Sequence, residues 1–248
     1  MSTLSVGYIN TLIELLGRIR DEEMPALEKA AKLIADAIEN GKSIFGFGCT
    51  HSSLPIQDLV YRAGGLILIN PIYGPGIASL DVKPARLTSA IERLSGYAQL
   101  LLDNHPIAAG DVLILVSVSG RNAVPVEMAK IASERGIIVI GVTSYEYSEN
   151  VTSRHPSGKK MYQFADVVID NKVPKGDAVV GIDGFPVKFT PASGVTSVAV
   201  LHALVTLVIE QLHQRGITPP VAIAANVDGS DEHNARIWAQ YKDRIHYL

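Results

Sequence analysis

This sequence has a single cysteine, a small net charge and no long uninterrupted apolar run. Cys49 is the single cysteine among 248 residues, which excludes an intramolecular disulfide and a zinc site built from several cysteines. The formal net charge is only −3, so electrostatics give no overall reason to expect nucleic acid or a membrane as a partner. Binding to nucleic acid and to membranes is therefore not expected.

The sequence also lacks signals for export and membrane insertion. Residues 1–23 contain no basic start followed by an apolar core, so we predict no secretory signal. Residues 195–212 are the longest apolar candidate, but Thr196, His202 and Glu210 interrupt them, so no stretch has the roughly 18–20 apolar residues of a membrane span. We expect a soluble, cytoplasmic protein.

What the sequence does contain is a regular alternation of strand and helix patterns. Five short apolar runs predict strands that are buried on both faces: residues 43–47, 66–70, 112–116, 137–142 and 165–170. Two helices precede the first strand, and a long helix and a C-terminal helix follow the last. This order predicts an α/β fold with a doubly wound five-stranded parallel sheet flanked by helices. No linker or internal repeat divides the chain, so we expect a single domain over residues 1–248.

The sequence also predicts the structures of the segments that connect the strands. We predict a helix from about residue 53 to Gly64, a continuous helix over residues 85–102, long loops over residues 71–84 and 144–160, and a small hairpin within residues 171–190. The last helix is expected to have Ser230 or Asp231 as its N-cap and to run to Ile245.

Two strand-to-helix turns that are rich in small polar residues carry the chemistry. The first is GFGCTHSS at residues 46–53, and the second is SVSGRN at residues 117–122. Both should lie at the carboxyl edge of the sheet, where open α/β sheets bind ligands. Backbone N–H groups at a helix start, together with Ser and Thr hydroxyls, can bind phosphate without a lysine. Helix capping is the alternative explanation of the same residues.

Neither turn matches a nucleotide-binding motif. His51 stands where the dinucleotide fingerprint needs its third glycine, and no Walker lysine follows either turn. The acidic group near the last helix is better explained as a turn and helix cap than as a metal site, so we predict neither cofactor nor metal. The predicted ligand-binding residues are Gly48, Thr50, Ser52, Ser117, Ser119, Gly120, Arg121 and Asn122.

The two turns, together with the KIASERGIIVIGVTS segment, resemble a sugar isomerase (SIS) domain over about residues 30–215. The resemblance implies a five-stranded parallel sheet that binds a phosphorylated sugar. It also implies a homodimer or homotetramer in which a neighbouring subunit completes each site. By this resemblance Ser117, Ser119 and Asn122 match phosphate-binding positions, and Thr50 matches the hydroxyl of the first turn. The whole chain is most similar to uncharacterised bacterial SIS proteins labelled as phosphoheptose isomerases.

Two positions depart from the phosphoheptose isomerase pattern. Val60 stands in place of the glutamate that follows the first turn, with Asp58 as the nearest carboxylate. Ser197 stands in place of the histidine on the last long helix, with His202 five residues further on. An aldose–ketose isomerase needs an acid and a base that reach C1 and C2 of the sugar.

We predict His51 and Glu92 as the acid/base pair of such an isomerase. The alternative for His51 is a helix-start residue that bonds to the backbone, and the alternative for Glu92 is a solvated residue paired with an arginine. Residues 153–160, which include Arg154, His155, Lys159 and Lys160, are either an exposed loop or a lid that contacts phosphate.

Two further functions stay open. The SGR sequence of the second turn and Glu92 on the preceding helix are similar to N-acetylmuramic acid 6-phosphate etherases, in which carboxylates suffice for proton removal and ether loss. The non-enzymatic alternative is a phosphosugar sensor that kept the phosphate site and lost the catalytic pair. The sequence therefore favours an isomerase but leaves open whether the chain is an enzyme.

Overall fold

The computed structural model describes residues 3–78 and 82–248, and its centre is a five-stranded sheet. The strands are β1 (Ile44–Gly48), β2 (Ile69–Pro71), β3 (Val112–Val116), β4 (Ile138–Thr143) and β5 (Val167–Asp170). They pair in parallel in the order β2-β1-β3-β4-β5. The predicted doubly wound parallel sheet is confirmed.

The register of β1 and β3 brings the two polar turns together at one edge. Gly48, the last residue of β1, lies opposite Val116, the last residue of β3. The strand order reverses between these two strands, because β2 lies on one side of β1 and the later strands lie on the other. Such a switch point is where open α/β sheets form a ligand-binding crevice.

Helices cover both faces of the sheet. They are α1 (Thr3–Glu22), α2 (Met24–Glu39), α3 (Leu54–Leu59), α4 (Arg86–Ile91), α5 (Tyr97–Asp103), α6 (Ala123–Glu134), α7 (Tyr145–Glu149), α8 (Ser193–Gln214) and α9 (Ser230–Tyr241). Buried side chains of α2, α3 and α8 form the core on one face, and those of α5 and α6 form the core on the other. Helix α8 is long and apolar enough to cross a membrane by composition, but it packs against α1, α2 and α3 as a core helix does.

The prediction of one continuous helix over residues 85–102 is wrong. The segment forms two short helices, α4 and α5, which are separated by a turn with Gly96 at φ +87°. The carboxylate of Glu127 on α6 accepts hydrogen bonds from the Ser95 hydroxyl and from the Gly96 N–H, the latter at 2.7 Å. Glycine tolerates the left-handed conformation, and the buried carboxylate stabilises the turn.

The helix after the first turn is shorter than predicted, and the second strand begins later. Helix α3 ends at Leu59 instead of Gly64, because Tyr61 adopts φ +50° and stacks on Trp238 of α9 with ring centroids 5.5 Å apart. Leu66 does not belong to β2; it forms an isolated bridge with Val221. Both differences come from contacts with the C-terminal segment, which is remote in sequence.

The remaining connections agree in part with expectation. The hairpin predicted within residues 171–190 is present and ends one residue later. Its strands are β6 (Ala178–Val180) and β7 (Phe189–Pro191), which pair antiparallel. The predicted loop over residues 144–160 instead begins with α7, since Ser144 caps it by accepting from the Tyr147 N–H. The predicted loop over residues 71–84 includes residues 79–81, which lie outside the described residues. Helix α9 has Gly229 as its N-cap and ends at Tyr241, so the predicted caps and end were wrong.

Candidate functional site

The turn after β1 has a shape that requires glycine. A Cβ atom added to Gly48 would lie 2.1 Å from the backbone oxygen of Ser52, so no larger residue fits without opening the turn. Thr50 adopts φ +53°, and its N–H donates a 2.7 Å hydrogen bond to the Ile77 carbonyl. A non-glycine residue in this region is strained, and such strain is concentrated at functional sites.

Helix capping does not explain the polar residues of the two turns. The Ser53 hydroxyl donates to the Thr50 carbonyl at 2.7 Å and makes no side-chain cap of α3. Asn122 occupies the N-cap position of α6, but its side chain does not cap the helix. Side-chain capping therefore accounts for neither Ser53 nor Asn122.

The turn after β3 presents backbone N–H groups at the start of α6. The carbonyls of Ser119, Gly120 and Arg121 accept hydrogen bonds from the Ser148 hydroxyl, the Met161 N–H and the Arg154 N–H, at 2.8–2.9 Å. A peptide N–H points opposite to the carbonyl of its own peptide unit, so the next N–H in each case faces away from these partners. The N–H groups of Gly120, Arg121 and Asn122 donate to no residue that the structure describes.

The conformation of Gly120 keeps this turn in place. Its φ is +57°, and an added Cβ would lie 3.1 Å from the Ser148 hydroxyl oxygen. Ser117 is buried in the turn, and Ser119 is partly exposed. Free N–H groups at the start of a twelve-residue helix, beside hydroxyls, have the geometry and the dipole that bind an anion.

The side chain of Asn122 joins the second turn to two other segments. Its Oδ1 accepts a 2.8 Å hydrogen bond from Nη1 of Arg154, which lies in the loop of residues 153–160. The Glu92 carboxylate is hydrogen-bonded to the Asn122 side chain. The Asn122 side chain therefore has partners within the protein, whereas its backbone N–H donates to no residue in the described part of the chain.

Glu92 lies at the second turn and is partly buried. Its backbone carbonyl accepts from the Val124 N–H at 3.1 Å. Burial raises the pKa of Glu92, although the hydrogen bond from Asn122 and the charges of Arg93 and Arg154 act in the opposite direction. Burial, together with the nearby Glu92 charge, also raises the pKa of the Cys49 thiol well above its usual value. A carboxyl group with a raised pKa is suited to general acid or base catalysis.

His51 lies in the turn that follows β1. It is exposed and lines a cavity of about 250 Å³, whose walls are His51, Ser52, Leu54, Pro55, Val118, Asp177, Pro191, Ser193, Gly194 and Ser197. The joint action of His51 and Glu92 as an acid/base pair stays a prediction. Ser197 is buried, and its hydroxyl accepts from the Asn171 side chain at 3.0 Å.

A histidine–carboxylate pair connects α3 and α8, two helices that each contribute residues to the walls of this cavity. His202 Nε2 lies 2.8 Å from Asp58 Oδ2, and Arg62 pairs with the other oxygen of Asp58. From the sequence, Asp58 and His202 were identified only as the residues nearest to the glutamate and the histidine that the phosphoheptose isomerase pattern has and this chain lacks. Their pairing depends on how α3 packs against α8, which the sequence pattern does not reveal.

Sequence reasoning missed Glu127. This buried carboxylate holds the Ser95–Gly96 turn and lies 3.8 Å from Nε2 of His155. The available signal was one carboxylate within the apolar segment VPVEMA. Glu127 thus contacts both the turn that follows Glu92 and the loop that carries Arg154.

The loop of residues 153–160 is anchored to the body of the protein. The Lys160 ammonium is buried and donates to the carbonyls of Ser148 and Val151. The Arg154 side chain contacts the second turn through Asn122. Within residues 3–78 and 82–248, no group of three His, Cys, Asp or Glu side chains is arranged to hold a metal ion.

Comparison with solved structures shows which folds this chain resembles. The phosphoheptose isomerase of Neisseria gonorrhoeae superposes with a TM-score of 0.54 at 19% identity, covering 83% of this chain and 97% of the isomerase. The sugar isomerase domain of an RpiR transcription factor from Sphaerobacter thermophilus gives the same TM-score at 15% identity, covering 98% and 99%. At such identities the similarity concerns the fold alone.

Sequence comparison supplies the family. The SIS domain model matches residues 7–144, which is more than half of the chain. A UPF0309 protein of Streptomyces coelicolor is 48% identical over 240 residues, covering 97% of this chain and 96% of that protein. The chain therefore belongs to the SIS domain family, together with the UPF0309 proteins that match it along almost its whole length.

Proposed function

We propose that this protein binds a phosphorylated sugar at the edge where β1 and β3 end. The observation that carries the proposal is the set of three N–H groups of Gly120, Arg121 and Asn122 at the start of α6, which have no acceptor among the described residues. Three carbonyls of the same turn are held by other segments, so the N–H groups are oriented before a ligand arrives. Phosphate is the anion that best matches several convergent N–H donors at a helix start.

Hydroxyl groups and a neighbouring cavity complete the proposed binding site. Ser117 and Ser119 flank the N–H groups, and Thr50 lies on the adjoining turn. The cavity beside His51 and Ser52 is the proposed space for the sugar. Gly48 serves this arrangement indirectly, because it permits the tight first turn.

The reaction we propose is the interconversion of an aldose phosphate and a ketose phosphate. A base removes the proton from C2 of the aldose while an acid protonates the carbonyl oxygen, which gives an enediol; the enediol then loses its O2 proton to a base as C1 is protonated, which gives the ketose. Glu92 is the proposed group at the second turn, because burial raises its pKa. His51 lines the cavity, and the Asp58–His202 pair joins the two helices, α3 and α8, that contribute to its walls.

Two other functions have specific support. An ether lyase of the N-acetylmuramic acid 6-phosphate etherase type is favoured by the position of Glu92 beside the second turn. A non-catalytic phosphosugar sensor is favoured by Val60 and Ser197, because the Ser197 hydroxyl is engaged by Asn171 and supplies neither acid nor base. One solved neighbour is a domain of a transcription factor, which agrees with such a role.

We also propose that the protein is cytoplasmic and acts as a homodimer or homotetramer of single-domain subunits. Helix α1 exposes Val6, Ile9 and Ile13 along one side, a spacing that gives a continuous apolar stripe. Exposed apolar stripes of this kind mark association surfaces. Light scattering after size-exclusion chromatography measures the subunit number, and a monomer at micromolar concentration contradicts this part of the proposal.

Ligand binding is tested with a panel of hexose and heptose phosphates in a thermal unfolding assay. A ligand at about 100 times its Kd stabilises the native state by about 2.7 kcal/mol, which is readily measured. Gly120→Ala is the informative variant, because its Cβ enters the turn that presents the N–H groups. Gly158→Ala is the matched control, since Gly158 also has positive φ but its Cβ meets nothing within 4 Å.

We expect the ligand-induced shift to be lost in Gly120→Ala and retained in Gly158→Ala. If no sugar phosphate shifts the unfolding temperature of the wild type at millimolar concentration, the proposed phosphate site is wrong. Exchange of the C2 proton in deuterated water then separates the isomerase from the sensor, because only the isomerase releases that proton. Glu92→Gln and Asp58→Asn show which carboxylate the exchange requires.

A further inference from the structure

Three arginines converge beside the proposed phosphate site. Arg121 belongs to the second turn, and its carbonyl accepts the N–H of Arg154 at 2.8 Å. The Arg154 guanidinium donates to Asn122, and Asn122 is hydrogen-bonded to Glu92, the neighbour of Arg93. We call Arg93, Arg121 and Arg154 the arginine cluster. Its members come from three separate segments that meet at the start of α6.

The positive charge of the arginine cluster is poorly compensated. None of the three side chains forms an ion pair with a residue that the structure describes. Glu92 is the neighbouring carboxylate, and burial raises its pKa and so disfavours its charged form. Partial burial and then the charges of Arg121 and Arg93 lower the pKa of Arg154, which reflects mutual repulsion.

The guanidinium groups also retain free hydrogen-bond donors. Arg121 donates from Nη2 to Thr152, but its buried Nε has no partner. Arg154 uses Nη1 for Asn122 and is otherwise exposed. Arg93 is exposed, and its side chain makes no hydrogen bond with the described residues. Guanidinium groups bind carboxylates and phosphates through paired N–H donors, so this cluster can accept an anionic group.

One phosphate does not need this many donors. Backbone N–H groups and hydroxyls at a helix start bind a phosphate without any cationic side chain. We propose that the natural ligand is a sugar phosphate that carries a second anionic group, a carboxylate or another phosphate, and that the arginine cluster binds this second group. The inference rests on the proposed phosphate site and narrows its ligand to doubly anionic sugars.

The test compares three probes by isothermal titration calorimetry at low salt: glucose 6-phosphate, 6-phosphogluconate and fructose 1,6-bisphosphate. All three have a terminal phosphate, and the last two add a carboxylate or a second phosphate. We expect at least one doubly anionic probe to bind about ten-fold more tightly than glucose 6-phosphate, which corresponds to one charge-assisted hydrogen bond. The preference should weaken as salt is added, because salt screens exposed charges.

The variants locate the second anionic group. In the double variant Arg93→Gln and Arg154→Gln, the preference should fall to about two-fold or less while glucose 6-phosphate binds as in the wild type. Arg135→Gln is the matched control, because Arg135 lies at the other end of α6 and pairs with Asp103. Gly120→Ala should weaken all three probes alike, because it disturbs the N–H groups that hold the shared phosphate.

Three outcomes overturn the inference, and they can be told apart. Equal affinity of the wild type for all three probes leaves the phosphate site standing and removes the second anionic group. Equal weakening of all three probes by the double arginine variant places the guanidinium groups on the shared phosphate instead. Absence of binding by every probe removes the proposed function together with the inference.

Discussion

Replacement of Glu127 by alanine tests the buried interaction that connects α6 to the turn after Glu92. The carboxylate accepts two hydrogen bonds, from the Ser95 hydroxyl and the Gly96 N–H. Hydrogen bonds to charged groups contribute about 1.5–3 kcal/mol each, and water can replace part of them because Ser95 and Gly96 are exposed. We therefore expect Glu127→Ala to lower the free energy of unfolding by about 2–4 kcal/mol.

The expected loss is large enough to measure by thermal and urea unfolding. In a protein of this size, 1 kcal/mol corresponds to about 2–4 °C, so the unfolding temperature should fall by roughly 4–16 °C. The single tryptophan, Trp238, provides a fluorescence signal. Glu134→Ala on the same helix is the control, because Glu134 is 60% exposed and forms a surface pair with Lys130, for which about 0–1 kcal/mol is expected.

Two results would refute this reasoning. The first is a Glu127→Ala protein whose unfolding free energy lies within about 0.5 kcal/mol of Glu134→Ala, a difference below one ordinary hydrogen bond. The second is unchanged hydrogen exchange at the Gly96 amide, which should lose protection when its acceptor is removed. Glu127→Gln keeps one acceptor oxygen and should show an intermediate loss.

Three further predictions follow from the same structure. Glu92→Gln should be more stable than the wild type near pH 8, with the advantage vanishing at acidic pH. Burial raises the pKa of Glu92, so the native state favours the protonated carboxyl group and loses this stabilisation as pH rises. Unfolding temperatures of both proteins from pH 4 to 8 check this. Lys172→Met should cost about 3–5 kcal/mol in urea unfolding, because Lys172 is buried among three carboxylates, whereas exposed Lys175→Met should cost little. The deficit of Lys172→Met should shrink as pH falls and the carboxylates are protonated. Gly48→Ala should abolish sugar-phosphate binding in the calorimeter, because its Cβ would meet the Ser52 carbonyl; unchanged affinity would contradict the role of this turn.

The sequence determined the sheet because strand burial is a local property. Each of the five strands has its own apolar run, and the segments between them allow parallel crossovers. The two polar turns were also predicted correctly at one edge, since parallel strands place the turns after their carboxyl ends at the same edge of the sheet. The bounds of β2 were predicted less accurately, because the segment before it pairs with residues 220–222, which are remote in sequence.

The candidate site was predicted only in its local parts. The serines and glycines of the turns are recognisable from turn chemistry, which depends on adjacent residues. Asn122 was expected to offer its amide to phosphate, yet the structure engages that amide with Arg154, 32 residues away, and with Glu92. The joint action of His51 and Glu92 as acid and base stays a prediction, because it depends on how the turn after β1 and the end of α4 are placed around a bound sugar.

By itself, then, the sequence determined the strands, the order of elements and the residues of the two turns. The tertiary structure alone decided the break between α4 and α5, where a carboxylate 31 residues away holds Gly96. It alone brought Arg93, Arg121 and Arg154 to one place and paired Asp58 with His202. The physical reason is that periodicity reports which side of an element is buried, whereas the partner of a polar side chain depends on which segments pack against that side.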